Sequence, residues 1–160
     1  MDLSVARRVK ADAVIRKARL SDLDAVEAIE WSVFDSDQLD RRSLRRYMSV
    51  PSAAMIVAQE GKAITGYALV GFRKGSKIGR LYSIAVDKAR AGRGVGRALL
   101  EASEAAAKKR KCSLFALEVR ADNTRAIKLY EKNGYEKTGL EEDWYEDGGD
   151  ALRFEKKLAR

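Results

Sequence analysis

Residues Arg80 to Leu100 read RLYSIAVDKARAGRGVGRALL, and this stretch restricts the fold more than any other part of the chain. An apolar strand, Leu81 to Val86, leads into a short basic loop, Gly92-Arg93-Gly94-Val95-Gly96. The loop leads directly into a helix, predicted from Arg97 onward. Alternate glycines let the backbone turn several N–H groups toward one point and let an anion approach closely. The helix N-terminus adds unpaired donors and partial positive charge. Strand, loop and helix together predict a site for a phosphate or pyrophosphate.

Several designs compete for such a loop. The P-loop string G-x-x-x-x-G-K-S/T does not occur in the chain. A dinucleotide fingerprint needs a third glycine where this chain has Leu99, although Glu118 lies at roughly the distance of that motif's acidic residue. A glycine-rich turn that merely precedes an amphipathic helix is the plain structural alternative.

Composition narrows the chemistry. The 160 residues suffice for one domain with a sizeable core, and residues 1–160 are read as that single domain, with 1–12 expected to be flexible. There is no histidine, which removes Ser-His-Asp and Cys-His catalysis and argues against a catalytic zinc site; no metal is expected. The single cysteine, Cys112, precedes an apolar strand and reads as a small buried hydrophobe, not a nucleophile. The N-terminus, MDLSVARRVKADA, has no apolar segment of the secretory type. Apolar runs such as Ala53 to Ala58 are too short to span a membrane. A cytoplasmic protein with no membrane partner is expected. The net charge of +8 attracts anions, whether coenzyme phosphates, acidic peptides or RNA. The basic residues are dispersed and read mostly as solvated faces, so nucleic-acid binding is compatible with the charge but not required by it.

Periodicity gives the remaining elements. Val14 to Ala18 reads as a strand. Ser21 reads as an N-cap, with Asp24 completing a capping-box-like pattern, before a helix over about 22–34 that carries Leu23, Val26, Ile29 and Val33. A short basic helix covers Arg41 to Met48. Ala54 to Gln59 and Ile64 to Phe72 form a hairpin about Glu60-Gly61-Lys62, and Ile78 to Val86 is the strand that feeds the loop. Val95, Leu99, Ala102 and Ala106 share one face of the helix after the loop. Ser113 to Arg120 is the next strand. Asn123 or Asp122 caps a helix to about Lys132, which Gly134 ends. Strands near Tyr135 to Leu140 and Ala151 to Leu158 close the chain, joined by the loop Glu141 to Asp150. The order predicts an α/β (mixed α+β) fold, with a mixed central sheet of about seven strands flanked by about four helices.

The strand LFALEVR alternates, with Phe115, Leu117 and Val119 on one face and Leu114, Ala116 and Glu118 on the other. A carboxylate in such a strand is costly unless it is paired or used. Glu118 therefore reads either as a structural ion pair, with Arg120 or Arg153, or as a general base facing a cleft. Asn123 and Tyr130 are close to two helical turns apart and share a stripe. Tyr130 reads either as a core aromatic or as a hydroxyl aimed into that cleft.

These strings resemble a known family. The loop is similar to the acyl-CoA loop R/Q-x-x-G-x-G/A of the GNAT N-acetyltransferases, with Ala91 where the family usually has Arg or Gln. The run LEVRADNTRAIKLYEKNGY, with Trp144-Tyr145 and then Asp150-Ala151-Leu152, resembles the ribosomal-protein-alanine (RimI-like) N-terminal acetyltransferase branch. The resemblance implies a GNAT-like domain that uses acetyl-CoA. It implies Glu118 as general base and Tyr130 as general acid. Ile84, Ala85 and Val86 would pair with the pantetheine arm; Gly92, Arg93, Gly94, Val95, Gly96 and Arg97 would hold the pyrophosphate, with Asn123 a further coenzyme contact. Trp144 and Tyr145 would form the lip for the acceptor peptide, with Trp144 in place of the usual tyrosine. Arg90, Arg93 or Arg97 is expected to supply the charge that Ala91 lacks.

The implied activity is direct transfer of acetyl from acetyl-CoA to a primary amine. The leading acceptor is a protein or peptide N-terminus, a ribosomal protein among the candidates. A lysine side chain, a small amine or polyamine, and a non-catalytic peptide- or RNA-binding module on the same fold are the alternatives. Monomer and homodimer are equally open.

Overall fold

The computed structural model describes residues 7–9 and 13–159. The strands are β1 (Arg7–Val9), β2 (Ala13–Lys17), β3 (Ala53–Glu60), β4 (Ala63–Phe72), β5 (Ile78–Val86), β6 (Leu114–Arg120), β7 (Glu136–Glu141) and β8 (Ala151–Lys157). The helices are α1 (Leu23–Val33), α2 (Arg41–Tyr47), α3 (Val95–Lys109) and α4 (Thr124–Lys132). All strands join one sheet in the order β1-β2-β3-β4-β5-β6-β8-β7. Among the described residues only β5 and β6 pair in parallel. The predicted order of elements is present, with β1 added on the edge beside β2. That strand lies within the segment expected to be flexible; the rest of that expectation concerns residues outside those described.

The sheet is covered on both faces, so its central strands are apolar runs as well as alternating ones. On one face Val95, Leu99, Leu100 and Ala106 of α3 pack against Phe115, Leu117 and Phe154. On the other, Val26 and Ile29 of α1 and Leu44 of α2 pack against Val57, Tyr67 and Leu69. Phe115, Leu117 and Val119 all enter the α3 side, as their alternation predicts, which leaves Glu118 on the α1 side. Cys112 is buried as expected, and burial pushes its thiol pKa up against the opposing charges of Arg110 and Lys77. Among the described residues no helix is long and apolar enough to cross a membrane.

Two helix starts differ from the prediction. A single 3-10 turn, Leu20–Asp22, precedes α1, and the carboxylate of Asp22 accepts the Arg19 N–H at 2.7 Å. Asp22 also takes two hydrogen bonds from Arg16, each 2.9 Å, so it and not Ser21 organises this corner. Helix α3 begins at Val95, ahead of Arg97, because Gly94 already occupies the left-handed conformation that ends the loop.

Candidate active site

The sheet opens where β5 and β6 should continue side by side. They pair only from Ile78 opposite Leu114 to Leu81 opposite Leu117. Beyond that point β5 follows β4 and β6 follows β8, leaving a wedge between them. A bulge accompanies the parting: Val70 faces Leu81 and Leu69 faces Ser83, so Tyr82 is an extra residue. A bulge bends its strand and raises the local twist. It also turns two consecutive side chains to one face. The Tyr82 ring lies 6.1 Å from that of Tyr47 in α2, and Ser83 Oγ lies 2.9 Å from the Tyr67 hydroxyl. Leu81 and Ile84 pack on the opposite, α3 side.

The backbone of β5 is then exposed to the wedge in a defined way. Asp87 N–H donates to Thr65 O of β4 at 2.8 Å. Strand groups alternate in direction, so Ile84 and Val86 turn their N–H and C=O away from β4, into the wedge, while Ala85 bonds to β4.

The glycine loop borders this opening. Gly92 and Gly94 both have φ of 83°, a conformation that other residues seldom adopt. The N–H groups of Val95, Gly96 and Arg97 open α3 and have no acceptor within the helix. A Cβ on Gly96 would meet Leu129 and Val86 at 3.6 and 3.7 Å, so the first turn of α3 rests on α4 and β5. Each of the three arginines expected to replace the charge lost at Ala91 has an acidic neighbour. Arg90 contacts Asp87 at 3.1 Å and Glu60 at 3.7 Å, Arg93 lies 4.0 Å from Glu60, and Arg97 lies 3.0 Å from Glu101. Arg125 of α4 is a further cation here: its guanidinium is 3.8 Å from where a Cβ on Gly92 would be, and it has no acidic partner among the described residues. The clustered donors suit a pyrophosphate, and the unpaired backbone of β5 suits the amides of a pantetheine arm. The residues present thus fit the coenzyme that the family resemblance implies.

Glu118 and Tyr130 meet in a cleft of about 230 Å³ at this wedge, with Asn123 and Tyr145 also on its wall. The Glu118 side chain is 14% exposed and is held by Arg80 at 3.0 Å and Arg153 at 3.4 Å. The ion pair and the cleft position therefore coexist. Tyr130 reaches the cleft from the α4 side, with its ring against Tyr135 and Phe154. Burial, and secondarily the neighbouring Tyr145, push its phenol well above the usual tyrosine range. Asn123 caps α4 by accepting the Ala126 N–H at 3.1 Å.

The outer wall joins two loops. Arg120, at the end of β6, donates to Ser36 Oγ at 2.6 Å and contacts Asp147 at 3.1 Å, and its guanidinium covers the Tyr145 ring at 4.2 Å. Glu146 N–H donates to Asp37 across the same gap at 3.2 Å. The α1–α2 loop and the β7–β8 loop are thereby tied together. Tyr145 lines the cleft, whereas Trp144 does not and is 50% exposed.

Sequence reasoning missed part of this wall. Glu30 of α1 is 2% exposed and accepts hydrogen bonds from Tyr67 Oη and from Leu39 N–H, the latter at 2.8 Å. It follows Leu23 by seven residues and Val26 by four, which is core-facing spacing, so a signal was present. Tyr82 and Ser83 could not be placed, because their common face depends on the bulge. A larger hollow of about 530 Å³ lies elsewhere, beside Lys77, Lys108, Lys111 and Cys112, and contains none of the predicted site residues.

Residues 20–135 match the model of the acetyltransferase (GNAT) family. The chain belongs to this family. An uncharacterized N-acetyltransferase of Methanocaldococcus jannaschii is 34% identical over 145 residues, covering 90% of this chain and 91% of that protein. The N-alpha-acetyltransferase RimI of Mycobacterium tuberculosis is 32% identical over 67% of each chain. The crystal structure of the ribosomal-protein-S18-alanine N-acetyltransferase from Escherichia coli superposes with a TM-score of 0.82 at 25% identity, covering 92% of this chain and 95% of that one. This GNAT protein is an acyl-CoA-dependent N-acetyltransferase of the RimI-like type.

Proposed function

We propose that this GNAT enzyme acetylates the N-terminal α-amino group of a protein or peptide by direct transfer. The observation that carries this reading is the single cleft shared by Glu118 and Tyr130 at the parting of β5 and β6. Acetyl-CoA supplies an acetyl group activated as a thioester. The first-turn N–H groups of α3 and the guanidinium of Arg125 hold its pyrophosphate, and the backbone of Ile84 and Val86 aligns its arm. A β5 N–H facing the wedge polarises the thioester carbonyl.

Glu118 removes the ammonium proton. Its two arginine partners, Arg80 and Arg153, orient the carboxylate, and an α-amine of pKa about 8 needs only modest help at neutral pH. Tyr130 stabilises the departing thiolate. With its pKa raised by burial, it keeps its proton and acts by donating a hydrogen bond instead of by full transfer. The lack of histidine and the burial of Cys112 favour direct transfer over an acyl-enzyme.

Tyr145 and the tied loops form the peptide lip. The acidic loop could instead suggest a polyamine. However, Asp147 is taken up by Arg120 and Glu141 by Arg153, at 3.1 Å each, which favours a neutral peptide backbone over a polycation. A ribosomal-protein N-terminus is a fitting acceptor, given the named activity of the Escherichia coli structural neighbour. The test is coenzyme A release from acetyl-CoA with matched peptides, N-terminally free or blocked, alongside lysine-containing and polyamine controls. Release with free N-termini alone is expected. Release with blocked lysine peptides or polyamines overturns the acceptor, and none with any amine overturns the activity.

A further inference from the structure

We propose that Ser83 receives the acceptor amine, with its hydroxyl held in an accepting orientation by Glu30 through Tyr67. The proposal rests on the N-acetyltransferase reading above. The three side chains form a hydrogen-bonded chain, Glu30 to Tyr67 to Ser83. Glu30 is buried and accepts the Tyr67 O–H, and Tyr67 Oη lies 2.9 Å from Ser83 Oγ. Glu30 and Ser83 both border the cleft that holds Glu118.

Proton counting fixes the direction of this line. Burial, then the charge of Glu30 and its hydrogen bond, push the Tyr67 phenol far up, so it keeps its one proton. That proton is given to Glu30. The Tyr67 oxygen can therefore only accept from Ser83, and the single Ser83 proton points inward. Ser83 then offers the cleft lone pairs and no hydrogen, a surface suited to an N–H donor.

Charge points the same way. No cation among the described residues pairs with Glu30, whereas Glu118 already faces Arg80 and Arg153. A buried carboxylate without a counter-ion is costly. A substrate ammonium against Ser83, two hydrogen bonds away, supplies that missing positive charge. Glu30 and Tyr67 are thus positioning residues, and Ser83 is the group that touches the amine.

The test is steady-state kinetics of the full chain with a free-N-terminus peptide, varying each substrate separately, with a thermal melt of each variant. Ser83→Ala should raise the peptide KM about tenfold, equivalent to about 1.4 kcal/mol, and leave the acetyl-CoA KM within about twofold, because only acceptor binding is lost. Glu30→Gln should do more harm than Ser83→Ala. A carboxamide can donate to Tyr67, which reverses the line and aims the Ser83 hydrogen at the ammonium. Tyr67→Phe, which frees Ser83 to rotate, should fall below Glu30→Gln. A purely structural network would lower the melting temperature of Glu30→Gln without changing the peptide KM, and that result overturns the proposal. If Glu30→Gln does not fold, Ser83→Ala decides alone: an unchanged peptide KM, or an equal rise for both substrates, overturns it. Turnover by the wild type with a flat Ser83→Ala response overturns only this inference, whereas no wild-type turnover overturns the activity and the inference together.

Discussion

Replacing Tyr130 by Phe separates chemistry from packing at one atom. The residue is 3% exposed, with ring centroids 5.7 Å from Tyr135 and 6.2 Å from Phe154. These contacts belong to the ring and survive the change. The hydroxyl makes no hydrogen bond among the described residues and faces the cleft, so its removal breaks none. Stability should therefore stay within about 1 kcal/mol of wild type, a shift of no more than about 4 °C in a domain of this size. Turnover should respond differently. A hydrogen bond to a charged partner contributes about 1.5–3 kcal/mol, so kcat should fall roughly 10- to 150-fold. The assay is initial-rate thiol release at saturating acetyl-CoA and peptide, with a thermal melt of each protein. The pH profile adds a second readout. Burial raises the pKa of this phenol, so wild-type kcat should not fall at pH about 10, where an ordinary tyrosine ionises. The same shift stabilises the fold below that pH and is lost as pH rises through the folded-state value; the Phe variant should lose less stability there. An unchanged kcat refutes the thiolate role. A large drop in melting temperature refutes the claim that the hydroxyl is structurally idle.

Three further outcomes follow from named contacts. Glu118→Gln should lower kcat by at least about 10²-fold and steepen its rise with pH, because the amine must then lose its proton unaided; turnover unchanged across pH removes Glu118 as base. Arg125→Ala should raise the acetyl-CoA KM about 3- to 10-fold with a weaker salt dependence and leave the peptide KM unaltered, which two-substrate kinetics will read. Asp22→Asn should destabilise the fold by about 3 kcal/mol at pH 7, since it breaks a buried pair with Arg16. Burial alone would raise the pKa of Asp22, but hydrogen bonds from Arg16 and the Arg19 N–H outweigh it, so the folded-state value lies below the ordinary one. Its stabilisation is present above pH about 4 and lost as pH falls through the folded value, so urea titrations at pH 7 and pH 3 should show the gap to wild type closing.

The features legible in the sequence are those that local periodicity determines. The glycine loop, the alternation that isolates Glu118 and the helical stripe shared by Asn123 and Tyr130 each lie within one element and its flank. The order of elements along the chain was legible for the same reason, since each strand has its own apolar run and turn, whereas the insertion of β8 between β6 and β7 depends on pairing between distant segments. The first turn of α1 was misread because Asp22 gains its role from Arg16, on a different element. Tyr82 and Ser83 were out of reach because one extra residue, visible only against β4, decides which face they share. Glu30 was readable in principle from its spacing, but its acid character hid a core position among exposed charges. Arg125 likewise gains meaning only when α4 is brought beside Gly92.

The central claim is that the acetyl group goes to an α-amine. It is tested most directly on a peptide that offers both a free N-terminus and an internal lysine, incubated with acetyl-CoA and sequenced by tandem mass spectrometry. The account predicts acetylation of the first residue's nitrogen with the lysine Nζ left free. Acetyl on the lysine, with the N-terminus unmodified, contradicts it.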